Sequence, residues 1–200
     1  MSVWFFICMI GLVATIPVHF LSVEHLRLQR RYGKAKGRKY GDILGLVSGW
    51  GFFLFWAGIW FSPQSRFNIP ILQDPSILIP LTGFSVSLFQ IIVCISFLLV
   101  GGWVAISGVK ETSLKVSETH RTEKIVTGGV YSHVRHPQYL GGLLAHVGIS
   151  FLLSASYALL STPLMILLVY LISRKEEEEL AKEFGREYED YKRKVPMMIP

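Results

Sequence analysis

Residues 129–141 read Gly129-Val130-Tyr131-Ser132-His133-Val134-Arg135-His136-Pro137-Gln138-Tyr139-Leu140-Gly141, and the run from His136 to Ser173 carries no Asp, Glu, Lys or Arg. Charge, aromatic rings, a proline and glycines set against a long apolar segment belong where water meets a bilayer. Pro137 suits the first turn of a helix, where its missing N–H costs nothing. His136 then stands at a helix N-terminus, whose free backbone N–H groups receive an anion. About forty residues on come Arg174-Lys175-Glu176-Glu177-Glu178-Glu179-Leu180, then Phe184-Gly185-Arg186-Glu187-Tyr188, Tyr191, Val195-Pro196 and Ile199-Pro200.

Hydrophobic residues make up 51% of the 200-residue chain, and its mean hydropathy is +0.44. That composition points to an integral membrane protein. Four stretches lack charge, Met1 to Val23, Ile43 to Ser65, Pro75 to Val109 and His136 to Ser173. Each is long enough to cross a hydrocarbon core of about 30 Å, which takes about 20 helical residues. The first has neither a basic start nor a clear small-residue cleavage site, so it reads as a retained helix rather than a signal peptide. The last suits two short helices turning at Ser154-Ala155-Ser156. The expected fold is therefore all-α and membrane-embedded, with about five transmembrane helices. The last two form a hairpin, followed by a cytoplasmic C-terminal amphipathic helix.

Charge placement supports that count, because basic residues gather in cytoplasmic loops. Of the 20 Lys and Arg residues, five spans put all but Arg66 on one side. The N-terminus is then outside and the C-terminus inside. A net charge of +6 is accounted for by a basic face beside anionic lipid headgroups, at about 1 kcal/mol per well-placed cation. It does not call for nucleic acid. Cys8 and Cys94 lie in apolar spans with no metal-type or redox-type spacing and read as packing residues. Residues 1–109 form an N-terminal region with the first three spans, and residues 110–200 a catalytic and cofactor-binding region.

Gly41, Gly45 and Gly49 make a small-residue stripe that admits a neighbouring helix, either within the chain or in a dimer; the oligomeric state is left open. Pro63, Pro70 and Pro75 argue against a long helix in the outer loop, residues 62–78. Leu180, Phe184, Tyr188 and Tyr191 share a face of a helix expected from Glu176 to about Lys194. Glu178 with Lys182 and Arg186 with Asp190 are supporting four-apart pairs.

Closing the hairpin brings Arg135-His136-Pro137 and residues 174–179 to one membrane face. Four consecutive glutamates cover every side of a helix, so at least one faces inward and needs a cation. Tyr131 and Tyr139 offer rings and hydroxyls there, and Ile125 and Val126 an apolar wall. His120, His133 and His136 fit no standard ligand spacing, so no metal site is assigned. His19 and His146 read as histidines satisfied by helix packing.

From Glu118 to Pro200 these motifs, in this order, resemble the isoprenylcysteine carboxyl methyltransferases. The resemblance implies S-adenosylmethionine as methyl donor, with S-adenosylhomocysteine as product, bound without a Rossmann domain. It also implies a lipophilic acceptor entering from the bilayer, most simply the C-terminal carboxylate of an isoprenylated cysteine. By position, Glu123, Lys124, Ile125, Val126, Tyr131, His136, Pro137, Gln138, Tyr139 and Glu178 would line the cofactor site. Arg174 would orient the acceptor carboxylate through its planar fork. The enzyme would face the cytoplasm from the cell membrane of a prokaryote or the endoplasmic reticulum of a eukaryote. A phospholipid amine N-methyltransferase is one alternative reading. An NADPH-dependent sterol or steroid reductase, which shows similar arginine-histidine-proline turns, is another, and a non-enzymatic membrane protein is a third. Binding of S-adenosylhomocysteine, of NADPH or of neither separates methyl transfer from the last two.

Overall fold

The computed structural model describes residues 2–67, 75–79, 84–119, 122 and 124–199. Most of them are helical. Three helices are long and apolar enough to cross a membrane, α1 (Val3–Val23), α3 (Lys34–Phe61) and α4 (Leu88–Thr112). Short α2 (His25–Tyr32) links the first two, and α5 (Leu114–Thr119) follows the third. The hairpin expected from the fourth uncharged run consists of α6 (Pro137–Leu152) and α8 (Thr162–Phe184), with α7 (Ser156–Leu160) at the bend. Alone, α6 has only 16 residues, about 24 Å at 1.5 Å per residue, and α8 becomes charged from Arg174 onward. Neither meets the length and composition of a full span.

Two expectations change. The uncharged run from Pro75 does not enter its helix at once: Ser76–Ile79 and Phe84–Ser87 pair as antiparallel strands β1 and β2. The helix begins only at Leu88, where Ser87 and Gln90 close a reciprocal capping box. The C-terminal helix is not a separate element from Glu176. Residues 176–184 continue α8, and a break at Gly185, whose φ is +57°, starts α9 (Arg186–Lys194). The predicted face survives that break, since Leu180, Phe184, Tyr188 and Tyr191 still pack together, with Ile125 against them. Of the outer loop, residues 68–74 lie outside the described set.

The bend falls where the sequence placed it. Ser154 takes φ +51°, and the Gln64 side chain accepts from the N–H groups of Tyr157 and Ala158 at 2.8 and 3.0 Å. Those bonds satisfy backbone donors exposed by the turn. The Gly41 and Gly45 positions admit short elements of the same chain: an added β-carbon would meet His25 and Leu28 at the first, and Glu118 and Thr119 at the second.

Glycines also set how α4 and α6 pack. Lipid supplies no hydrophobic drive for helix association, so close backbone approach and van der Waals contact must do it. A β-carbon on Gly101 would lie 2.8 Å from the Gly141 carbonyl oxygen, and one on Gly108 would lie 2.8 Å from Pro137 Cγ. Gly108 thereby seats the start of α6. Buried His146 locks the hairpin to α3: Trp56 and Trp60 donate their indole N–H groups to Nδ1 at 2.8 and 3.0 Å, leaving Nε2–H for the Ala158 carbonyl at 3.0 Å.

Gly101 and Gly102 are adjacent, but an added β-carbon at Gly102 has nothing within 4 Å. Gly101→Ala should therefore lower stability by about 1–3 kcal/mol through overpacking. Gly102→Ala should be neutral or stabilising by up to about 1 kcal/mol, because alanine relieves the entropy cost of a helical glycine. Thermal unfolding of both variants in detergent checks the opposite signs.

Candidate active site

Arg135 ends the loop before α6, and its side chain is 8% exposed. A guanidinium so buried must be paired. Its partner is Glu177 on α8, 2% exposed, which accepts from Nε at 2.8 Å and from the second terminal nitrogen at 3.1 Å. The remaining donor reaches the carbonyls of Lys192, at 2.8 Å, and Val195. His136 Nε2 lies 3.1 Å from Glu177 Oε1, and Lys192 Nζ 3.6 Å from Oε2. The C-terminal tail is bound to the same loop, with the N–H groups of Arg135 and His136 donating to the Pro196 and Met197 carbonyls at 3.0 and 3.1 Å. Burial pushes the Glu177 carboxyl up, but hydrogen bonds and charge from His136 and Arg135 outweigh it and hold it below its ordinary value.

The loop ahead of Arg135 is fixed from α4 and α9. Glu111 accepts from the Val130 N–H at 3.0 Å, so that Gly129, at φ +56°, has no room for a side chain. Tyr191 donates its hydroxyl to the Tyr131 carbonyl at 2.7 Å.

One residue away on α8, Glu176 turns toward a cavity of about 540 Å³ bounded by α1, α3, α4, α6, α8 and α9. Tyr139 donates to Glu176 Oε1 at 2.6 Å, His19 Nε2 lies 3.0 Å from the same oxygen, and His136 Nδ1 is 3.6 Å from Oε2. Glu118, Glu179 and Glu183 also border the cavity. At the other end its walls are apolar: Leu46, Trp50 and Phe53 from α3 and Leu98 from α4. These four are also exposed on the outer surface, between 39% and 59%, so the cavity opens between the two helices.

Of the residues nominated from the sequence, Lys124, Ile125, Val126, Tyr131, His136, Pro137, Gln138 and Tyr139 all border this one cavity. Glu123, like His120, lies outside the described residues. Arg174 and Glu178 are corrections. They pair with one another at 3.4 Å on the outer face of α8, 63% and 50% exposed, away from the cavity. Residues four apart share a helix face, and the inward faces here are taken by Glu176 and Glu177. Lys182 likewise meets Glu179, at 2.7 Å, rather than Glu178. Sequence reading missed His19, Glu176 and the Arg135–Glu177 pair. A histidine inside an uncharged span was the available signal for the first.

Residues 89–187 match the phospholipid methyltransferase family. The chain is 32% identical over 141 residues to the protein-S-isoprenylcysteine O-methyltransferase of Schizosaccharomyces pombe, a match covering 66% of this chain and 57% of that protein. It is 33% identical over 94 residues to the methanethiol S-methyltransferase of Crocosphaera subtropica, covering 46% and 36%. With the isoprenylcysteine enzyme of Mus musculus it shares 36% identity over 86 residues, covering 42% and 30%. The resemblance to isoprenylcysteine carboxyl methyltransferases is thus borne out, while the chain spans less than two thirds of the length of these relatives. No solved structure matches the chain significantly. The family segment contains α4, α6 and α8 but not α1, so His19 comes to the cavity from outside it.

Removing one partner of a buried pair strands the other charge, at a cost of about 3–5 kcal/mol. Glu177→Gln should lower the unfolding temperature clearly at pH 7, where the pair is intact. A carboxyl held below its unfolded value of 4.5 stabilises fully above that value, and the gain is lost as pH falls through the folded one. Unfolding in detergent from pH 7 to pH 3 should therefore show a smaller acid loss in Glu177→Gln than in the wild type.

Proposed function

We propose that the protein is a membrane-embedded methyltransferase using S-adenosylmethionine, with the carboxylate of an isoprenylated cysteine or an analogue as acceptor. The observation carrying this reading is the single cavity that joins an acidic, imidazole and tyrosine end to an apolar opening between α3 and α4. The donor's chemistry fits that end: carboxylates complement its sulfonium and ammonium, and the N–H groups at the start of α6 complement its carboxylate.

Glu176, flanked by Tyr139 and His136, would hold the donor's ammonium. Ile125 and Val126 would contact its base. Lys124, which forms no ion pair among the described residues, is the cation available to a carboxylate. It replaces Arg174 in that role, since Arg174 points away. Trp50 and Phe53 would receive the lipid tail, and the apolar walls would exclude water. When bound, S-adenosylmethionine supplies a methyl group whose bond to sulfur breaks, the electron pair staying on sulfur, as the bond to the acceptor oxygen forms. A carboxylate acceptor is already ionised at neutral pH, so the residues need only align it. A thiol or amine acceptor, as the methanethiol enzyme's name and the family's name raise, would have to lose a proton.

Five membrane crossings with the site on the cytoplasmic face complete the proposal, supported by the placement of Lys and Arg. Single cysteines introduced at Ser65 and at Lys192, in a background lacking Cys8 and Cys94, should then label from opposite sides. The activity test is labelled-methyl transfer, run in parallel on a prenylcysteine, a phospholipid extract and an alkanethiol. Transfer to the prenylcysteine is expected to dominate. Labelling of the phospholipid or the thiol instead would overturn the acceptor assignment, and labelling of none would overturn the methyl-transfer reading.

A further inference from the structure

We infer that His19 of α1 is a positioning residue of the donor site, holding the Glu176 carboxylate toward the cavity from outside the family segment. The inference rests on the donor reading above. Glu176 belongs to α8, and a carboxylate at the edge of an apolar helix packing needs fixed polar neighbours to keep one orientation. Tyr139 supplies one, donating to Oε1 at 2.6 Å. His19 Nε2 stands 3.0 Å from the same oxygen, a close polar contact without hydrogen-bond geometry, its side chain 5% exposed and that of Glu176 14%. Both residues border the cavity.

The approach of α1 to α8 at this level is held by a second polar contact, made by the residue next to Glu176 on α8. Lys175 donates to Glu24, just past the end of α1, at 2.9 Å, and to Glu179 at 2.9 Å. Rotation of α8 away from α1 would break both contacts together. The imidazole is thus held against Glu176 by helix docking rather than by a flexible loop. The Tyr139 and His19 contacts are both made to Oε1, and His136 Nδ1 lies 3.6 Å from Oε2. Loss of His19 would remove one of the contacts that orient Glu176, leaving Tyr139 on Oε1, so the donor would bind more weakly while the transfer step, once the donor is bound, would be little changed.

Calorimetric titration of S-adenosylhomocysteine into the detergent-solubilised full chain tests this. His19→Phe keeps a ring of similar volume and removes both nitrogens, and affinity should fall about tenfold or more, corresponding to about 1.4 kcal/mol. Turnover at saturating donor should stay within about twofold, with the loss confined to the donor KM. His19→Gln, which restores an N–H donor, should recover part of the affinity. His19→Leu gives the same measurement if the phenylalanine variant misfolds, folding being judged by gel filtration and thermal unfolding. A folded His19→Phe or His19→Leu with wild-type affinity overturns the inference and leaves the donor reading standing. Absence of binding by the wild type removes the donor reading and the inference with it. A fall in turnover with unchanged affinity also overturns it, because His19 would then act on the transfer itself.

Discussion

A buried guanidinium with no counterion costs several kcal/mol, and the architecture around Arg135 answers that constraint. Glu177 gives it both carboxylate oxygens, while the carbonyls of Lys192 and Val195 take the remaining donor. The contributors come from the loop before α6, the charged end of α8, α9 and the C-terminal tail, separated by up to 60 residues in sequence. Satisfying one charge therefore fixes four segments relative to one another. Gly185 makes this possible by breaking the helix, since an unbroken α8 would carry Lys192 away from the pair.

With those segments fixed, adjacent glutamates take separate tasks. Successive residues on a helix point about 100° apart, given 3.6 residues per turn. Glu177 is turned into the ion pair, and Glu176 is left facing the cavity among Tyr139, His19 and His136. Glu177 secures the structure, and Glu176 borders the cavity. The glycine contacts of α4 with α6 bring Pro137 and Gln138 up to the same space. The apolar opening between α3 and α4 joins it to the bilayer side.

Much of this was legible in the chain. Uncharged runs marked the helices, Ser154-Ala155-Ser156 marked the bend, and Leu180, Phe184, Tyr188 and Tyr191 marked a shared face. The rotational phase of α8 was not legible. Its apolar part is hydrophobic on every side, with Leu164, Ile166, Leu167 and Tyr170 alongside the buried Met165, Leu168, Val169 and Ile172. No polar face distinguishes inward from outward, so the stripe that would have pointed to Glu176 and Glu177 is visible only after packing. Arg174 and Glu178 were nominated by position from the family resemblance, but exposure lets them pair with each other at little cost. His19 was hidden for a different reason. A single histidine in an apolar span looks the same whether it bonds a carbonyl, as His146 does, or faces a cavity.

The central claim is that Glu176, rather than its neighbour two residues on, presents the carboxylate that receives a methyl donor. Calorimetric binding of S-adenosylhomocysteine to Glu176→Gln and Glu178→Gln, each beside the wild type, tests it most directly. Loss of a charged hydrogen bond of about 1.5–3 kcal/mol predicts an affinity about 10- to 100-fold weaker in Glu176→Gln, with Glu178→Gln close to wild type. A wild-type affinity in Glu176→Gln with a loss in Glu178→Gln would contradict the account.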